Sequence, residues 1–170
     1  MAMVEHTLTA FGRIDVLVNN AGYSQLCPIA DLSVEAFRMA LDVNLIGTFL
    51  CCKAVLPTMK RQGSGRIINV VSGAGKRGFP TQGAYTAAKF GVMGFSQSLQ
   101  LEVKPDGIGV CCVCPGRTDT LMRRISFPGE DRTRLLPAEE IAEAIVFAAT
   151  RGPLAIIPEI WVQPRDFVMF

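Results

Sequence analysis

Four short apolar runs, separated by longer segments with helical spacing, set the layout of the chain. The runs cover roughly residues 14–19, 66–71, 109–114 and 155–162, and the first three are almost continuously apolar. Such runs are typical of parallel strands covered on both faces, and strands that alternate with helices are joined by crossovers. The pattern predicts an α/β fold with about four parallel strands and flanking helices. Pro158 cannot donate a ladder hydrogen bond, so the last strand belongs at a sheet edge.

The segments between the runs carry helix signals. One helix begins at Ser33 as N-cap and continues in apolar steps of about four residues until Gly63. A second covers residues 81–104, and a third runs from Pro137 to Gly152. The N-terminal residues also have a helical pattern.

Composition narrows the class of protein. The chain has 170 residues, of which 49% are hydrophobic, so we expect one domain spanning 1–170. The net charge is only +2 and the basic residues are scattered, which predicts no nucleic-acid partner. The N-terminus has no signal-peptide pattern and no run reaches 18 apolar residues. We therefore expect no membrane span and a cytoplasmic protein.

The cysteines, the single histidine and a group of arginines could each have a structural or a functional role. The six cysteines lack zinc-ligand spacing and histidine partners, which favours reduced thiols that pack as small hydrophobes. The single histidine, His6, is expected at the surface. One local excess of basic residues forms either a solvated loop or an anion site: Arg117, Arg123, Arg124, Arg132 and Arg134.

The strongest chemical signal is Tyr85 followed by Lys89 four residues later. Residues four apart share a helix face, so the ammonium can lie beside the phenol. An unperturbed phenol loses its proton near pH 10, and a nearby cation favours the phenolate. Ser72 closes a predicted strand and could donate to a substrate oxygen. These three side chains suit carbonyl reduction or alcohol oxidation, although an aromatic body packed inward beside a lysine stem gives the same spacing.

Two strand ends complete a resemblance. Asn19-Asn20-Ala21-Gly22 follows the first strand, and Pro115-Gly116-Arg117-Thr118-Asp119-Thr120 follows the third. With Asn44, Ser72, Tyr85 and Lys89 at their spacing, the chain resembles the short-chain dehydrogenase/reductase family up to about residue 149. The resemblance implies a partial Rossmann-like doubly wound sheet.

The resemblance also implies roles for single residues. Tyr85 would be the general acid or base, Lys89 would lower its pKa, Ser72 would bind the substrate oxygen, and Asn44 would anchor a water through a kinked helix. These four are the expected catalytic residues. The residues expected to bind cofactor are Asn19, Ala21, Gly22, Tyr85, Lys89, Pro115, Gly116, Thr118 and Thr120. No metal is expected.

The expected cofactor is NAD or NADP, and the residues do not distinguish them. The family's opening strand, glycine-rich turn and helix are not recognisable here, and the first residues resemble the helix before the family's fourth strand. A glycine pattern at 73–78 follows a strand but is interrupted by Pro80 and Gly83. A phosphate-binding turn opens directly into a helix, so this pattern predicts a loop.

The resemblance therefore predicts an NAD(P)-dependent oxidoreductase that interconverts a small secondary alcohol and a carbonyl compound. It also implies a homo-oligomer formed through the helices around 33–62 and 81–104. Two alternatives remain open from the residues alone. The chain could be a catalytically inactive scaffold that binds another subunit, or an unstable fragment.

Overall fold

A computed structural model describes residues 2–166, which contain a four-stranded parallel sheet. The strands are β1 (Val16–Asn19), β2 (Gly65–Val70), β3 (Ile108–Pro115) and β4 (Glu159–Val162), in the spatial order β1-β2-β3-β4. Each strand pairs in parallel with the next, for example Leu17 with Ile67. The predicted α/β class, the strand number and the parallel arrangement are confirmed.

Six α-helices in the described residues connect and cover the strands. They are α1 (Ala2–Phe11), α2 (Val34–Leu41), α3 (Gly47–Gln62), α4 (Gly83–Val103), α5 (Leu121–Ser126) and α6 (Ala138–Ala149). The Ser33 side chain caps α2 by accepting from the Ala36 amide, as the sequence predicts. A π-helical segment, Asp42–Ile46, joins α2 to α3 without a break.

The core forms on both faces of the sheet, because neighbouring strand residues point to opposite sides. Ile67 packs on one face with residues of α1, α3 and α4. Ile68, the next residue, packs on the other face with Ile141 and Ala148 of α6. Both isoleucines are fully buried. Covering helices on both faces explain why the second and third strands read as continuous apolar runs.

The two edges of the sheet differ from the sequence expectation in detail. β4 is an edge strand and begins directly after Pro158, so the predicted strand at 155–162 is too long at its start. Pro158 still contributes its carbonyl, which accepts from the Cys112 amide. At the other edge, Val16 and Val18 of β1 are 40% and 41% exposed. Their side chains lie on the face that α6 covers farther along the sheet, as their register with β2 shows.

The structure also shows the surroundings of the cysteines, of His6 and of the most apolar helix. All six cysteines are free and four are buried, and among residues 2–166 no group of side chains suits a metal ion. His6 is exposed. By length and composition, the continuous helix Val34–Gln62 could cross a membrane, but a core helix of a folded domain passes the same test. In the structure this helix packs against the sheet and α4.

Candidate active site

A cleft of about 730 Å³ opens at the carboxyl ends of the parallel strands. Open α/β sheets bind their ligands at this end. Segments that follow β1, β2 and β3 line the cleft, together with the start of α4 and parts of α5 and α6. The predicted site residues in its lining are Ala21, Gly22, Ser72, Tyr85, Lys89, Pro115, Gly116, Thr118 and Thr120. The fold therefore brings together nine of the eleven predicted residues.

Ser72 leaves β2 in an extended conformation and caps a short 3-10 turn, Gly73–Gly75. Its hydroxyl oxygen accepts a hydrogen bond from the Ala74 amide at 3.1 Å. The turn is held close to α4, because a Cβ on Gly75 would lie 2.5 Å from Val71 and 3.2 Å from the Lys89 carbonyl. The glycine pattern at 73–78 thus leads into a packed turn and not into a helix, as predicted.

Lys89 is the most constrained charged group of the site. Its side chain is 4% exposed, and its ammonium donates to the Val70 carbonyl at 2.9 Å. Burial lowers the pKa of Lys89 to about 8, and the nearby Cys114 thiol acts in the opposite direction. An ammonium has three donors. The described residues supply an acceptor for one of them, so two N–H groups of a buried cation are left for a ligand.

Tyr85 lies on the same face of α4, with the Lys89 Nζ 5.5 Å from its ring centroid. Burial raises the pKa of Tyr85, and hydrogen bonding with the Ser72 side chain opposes that rise. The sequence argument expects Lys89 to lower this pKa. The structure differs because the ammonium is directed at the Val70 carbonyl and the phenol is desolvated. Burial therefore favours the protonated form of the Tyr85 phenol, which lies next to Ser72.

Asn44 is buried behind the cleft in the π-helical segment and does not line it. Its amide donates to the carbonyls of Tyr23 and Ala40, both at 2.8 Å, and its Oδ1 accepts from the Tyr23 amide at 3.2 Å. A π-helix disturbs the regular backbone ladder and is frequent at functional sites. The Thr48 hydroxyl donates to the Asn44 carbonyl at 2.8 Å. Asn44 thus fixes the loop that carries Gly22.

Asn19 differs from its predicted role in cofactor binding. Its side chain does not line the cleft but donates to Asn69 Oδ1 at 2.8 Å and to the Cys52 thiol at 3.4 Å. Asn69 in turn donates to the Ser96 hydroxyl, and that hydroxyl donates to the Val92 carbonyl. The physical reason is strand alternation, which points Asn19 to the same side as the buried Leu17. Its neighbour Asn20 lines the cleft instead.

Gly22 and Gly116, at the ends of two strands, line the cleft together with Lys89. A Cβ on Gly22 would lie 3.1 Å from Asn44 Oδ1, and a Cβ on Gly116 would lie 2.3 Å from Gln163 Oε1. Both glycines are therefore packed closely against a neighbouring side chain. Thr120 caps α5 by accepting from the Arg123 amide. Together with the two unfilled donors of Lys89, this floor fits a nicotinamide nucleotide.

The five arginines that form the local excess of basic residues make ion pairs with nearby carboxylates. Asp119 accepts from Arg124 and Arg132, and these bonds lower its pKa to about 2. The other three arginines pair with Glu130 or Asp166. The cluster is an ion-pair network that ties the segment after β3 to the last described residues. The sequence argument counted the arginines without their interspersed acids.

Residues outside the predicted catalytic and cofactor-binding set also line the cleft. They include Asn20, Ser24, Gln82, Met122, Arg123 and Phe127. Met122 and Phe127 line the cleft, whereas Leu121 and Ile125 of the same segment are both 72% exposed and are not part of its lining. Gln82 lies three residues before Tyr85 at the start of α4, and this spacing is the signal that could have identified it.

An open parallel sheet with a ligand-binding crevice at its carboxyl ends is typical of the doubly wound class of α/β proteins. Comparison with known proteins narrows this class, since residues 1–131 match the model of the short chain dehydrogenase family. The chain belongs to that family.

Relatives and solved structures agree with this assignment. The chain is 40% identical over 161 residues to a 3-oxoacyl-[acyl-carrier-protein] reductase of Synechocystis, covering 91% of this chain and 65% of that protein. It is 39% identical to the uncharacterized oxidoreductase YxjF of Bacillus subtilis, covering 81% and 53% respectively. The chain thus spans between half and two thirds of the length of these two relatives.

Solved structures superpose closely. ElxO with NADP bound gives a TM-score of 0.87 at 26% identity, covering 95% of this chain and 71% of that one. An alcohol dehydrogenase from Thermococcus sibiricus, complexed with 5-hydroxy-NADP, gives a TM-score of 0.87 at 28% identity, covering 98% and 70%. The described sheet is therefore the Rossmann-like sheet of this family.

Proposed function

We propose that the protein is an NAD(P)-dependent oxidoreductase that interconverts a secondary alcohol and a carbonyl compound, with Tyr85 as the general acid or base. The observation that carries the proposal is the convergence of Tyr85, Ser72 and Lys89 in one cleft, with two donors of the buried Lys89 unfilled. A buried cation with unused donors is costly unless a ligand completes its bonds. Relatives named as reductases and structures named with NADP support the same function.

Each side chain has a distinct task in this mechanism. Lys89 would bind ribose hydroxyls, and Gly22, Pro115, Gly116, Thr118 and Thr120 would hold the nicotinamide end. The cofactor, when bound, supplies or accepts a hydride. Ser72 donates a hydrogen bond to the substrate oxygen, and Tyr85 gives that oxygen a proton as the carbonyl is reduced. Asn44 holds the Gly22 loop in place through Tyr23.

The raised pKa of Tyr85 bears on how the two directions of the reaction depend on pH. A protonated phenol is the form that donates a proton during carbonyl reduction. Alcohol oxidation needs the phenolate, which burial disfavours. We therefore expect reduction to be fast near pH 7 and oxidation to accelerate as the pH rises.

The test compares the chain's two tyrosines. Tyr85→Phe should lower NADPH- or NADH-linked reduction of a simple ketone by about 10²- to 10⁴-fold, because positioned proton transfer contributes that much. Tyr23→Phe is the matched control, since its hydroxyl bonds to the Gln25 side chain outside this triad. NADPH fluorescence measures binding for both variants. Turnover of Tyr85→Phe within a few-fold of the parent would refute the acid–base assignment.

Two finer statements also belong to the proposal. A homo-oligomer is supported by apolar side chains that stay exposed along the Val34–Gln62 helix and α4, namely Met39, Ile46, Phe49, Leu50 and Phe90. A cytoplasmic location is supported by six free thiols, which persist in reducing compartments. The scaffold alternative is less favoured, because the triad side chains meet in an open cleft.

A further inference from the structure

Four polar side chains of the cleft have no hydrogen-bond partner among the described residues, namely Asn20, Ser24, Gln82 and Ser126. Ser72 and Thr120 each accept a hydrogen bond from a backbone amide, and the Thr118 hydroxyl donates to the Gly116 carbonyl. By contrast, no hydrogen bond involves the Ser24 hydroxyl or the Gln82 amide within residues 2–166. Gln82 stands at the N-cap of α4, yet its side chain makes no capping bond. A half-buried amide that serves neither the helix nor a neighbour is free for a ligand.

The backbone next to Gln82 is held in an unusual conformation. Thr81 has φ = 63°, and it is the one non-glycine residue between 2 and 166 with a positive φ. A β-branched residue rarely adopts this region, and such strain clusters at functional sites. The Thr81 carbonyl accepts from the Cys27 amide at 2.8 Å, which ties the turn to the loop after β1.

The other side of Gln82 is fixed as well. A Cβ on Gly83 would lie 2.2 Å from the Ile29 side chain, so the helix start packs directly on the 3-10 turn Ile29–Asp31. Gln82 is therefore anchored on both sides, one turn before Tyr85. Its backbone carbonyl accepts from the Thr86 amide and begins the helix.

The charges of the cleft decide what this amide can select. Lys89 and Arg123 are the cationic side chains of the described lining. Arg123 makes two 2.6 Å hydrogen bonds to Glu130 and stacks on Phe127 at 4.1 Å. Lys89 is buried against the Val70 carbonyl. Arg123 is paired with Glu130, and the proposed function assigns the unfilled donors of Lys89 to the cofactor ribose. Within the described lining no cation is then left for a substrate carboxylate, whereas Met122 and Phe127 offer apolar surface.

We infer that Gln82 is a specificity-determining residue that selects uncharged carbonyl substrates with a second oxygen near the reacting carbonyl. Its amide N–H donates to that second oxygen, as in an ester or a diketone. A carboxylate at the same place would lose water without gaining a cation, which is unfavourable. The inference rests on the proposed function, because it assumes that the reacting carbonyl lies between Ser72 and Tyr85.

The experiment uses a matched pair of probes, ethyl 3-oxobutanoate and 3-oxobutanoate, which share the ketone and differ in charge. Binding to the full chain is measured by saturation-transfer NMR, and reduction is followed with NADPH. The parent should bind the ester at least about tenfold more tightly than the acid. Gln82→Leu should weaken ester binding about fivefold to tenfold, the effect of one hydrogen bond. Gln82→Lys should reverse the preference by supplying a free cation.

A simple ketone, pentan-2-one, separates this inference from the proposed function. It lacks the second oxygen, so its Tyr85-dependent reduction by the parent tests the proposed function without any contribution from the Gln82 hydrogen bond. If that reduction is present while the ester-to-acid ratio stays the same in Gln82→Lys, the inference is wrong and the oxidoreductase remains. If the parent reduces none of the three probes and binds neither member of the pair, both proposals fail. Circular dichroism melts of the variants verify that they are folded.

Discussion

Asn44→Ala removes three hydrogen bonds, two of which join the π-helical segment to the loop that carries Gly22. The bonds link Asn44 to the amide and carbonyl of Tyr23 and to the carbonyl of Ala40, at 2.8–3.2 Å. Asn44 is 1% exposed, so water does not replace them easily. With about 1 kcal/mol for each bond, we expect a loss of about 3 kcal/mol in the free energy of unfolding. In a chain of this length that loss lowers the Tm by roughly 6–12 °C.

The assay is equilibrium urea unfolding followed by circular dichroism, supported by hydrogen exchange at the Tyr23 amide. Exchange at this amide should speed up, because its acceptor is lost. Asn20→Ala is the matched control, since Asn20 is exposed and makes no hydrogen bond within the described residues. A loss below about 1 kcal/mol in Asn44→Ala, or equal losses in both variants, would refute the reasoning.

The remaining predictions concern Lys89 and the exposed helix faces. A pKa lowered from 10.5 to about 8 corresponds to about 3 kcal/mol, so Lys89→Met should be more stable than the parent by up to that amount below pH 8. The folded parent releases this proton before the unfolded chain does, so the difference should vanish between pH 8 and 10.5, and an unchanging difference would contradict it. The buried cysteines have raised pKa values, which destabilise both proteins above pH 9. Comparing the stability of the variant with that of the parent removes this shared contribution. Leu50→Asp should shift sedimentation towards monomer, whereas Leu154→Asp, which is 99% exposed outside these helices, should not; a monomeric parent would disprove the oligomer.

The fold was predictable because each strand has a clear signature in the sequence. Continuous apolar runs with helical spacing between them define a parallel sheet, and the strand ends then place Gly22, Ser72 and Gly116 at one edge. The triad was predictable for a related reason, since Tyr85 and Lys89 are one helical turn apart. Periodicity fixes which residues share a face but not the charge state of a buried group. The direction of the Tyr85 pKa depends on desolvation, which no local pattern reports.

Asn19 shows where the sequence carried a signal that motif matching overrode, whereas Gln82 shows where spacing alone gives the helix face but not the local conformation. Asn19 belongs to a matched strand end, yet it lies two residues after the buried Leu17 and so points into the same core. Gln82 carries no motif, and its position depends on the left-handed conformation of Thr81. A positive φ at threonine cannot be read from composition or spacing, because tertiary contacts such as the Cys27–Thr81 hydrogen bond impose it.

Asn19, which does not line the cleft as predicted, helps to hold the geometry of the site from within the core. Its amide joins β1 to Asn69 of β2, and Asn69 joins β2 to Ser96 of α4. The hydroxyl of Ser96 then bonds to the Val92 carbonyl, one turn beyond Lys89. The strands that end at the cleft and the helix that carries the Tyr85 phenol are thus connected by one buried chain of hydrogen bonds. A misplacement of about 1 Å can cost 10²-fold in rate. This series of hydrogen bonds therefore has a positioning role, although none of its members touches a ligand.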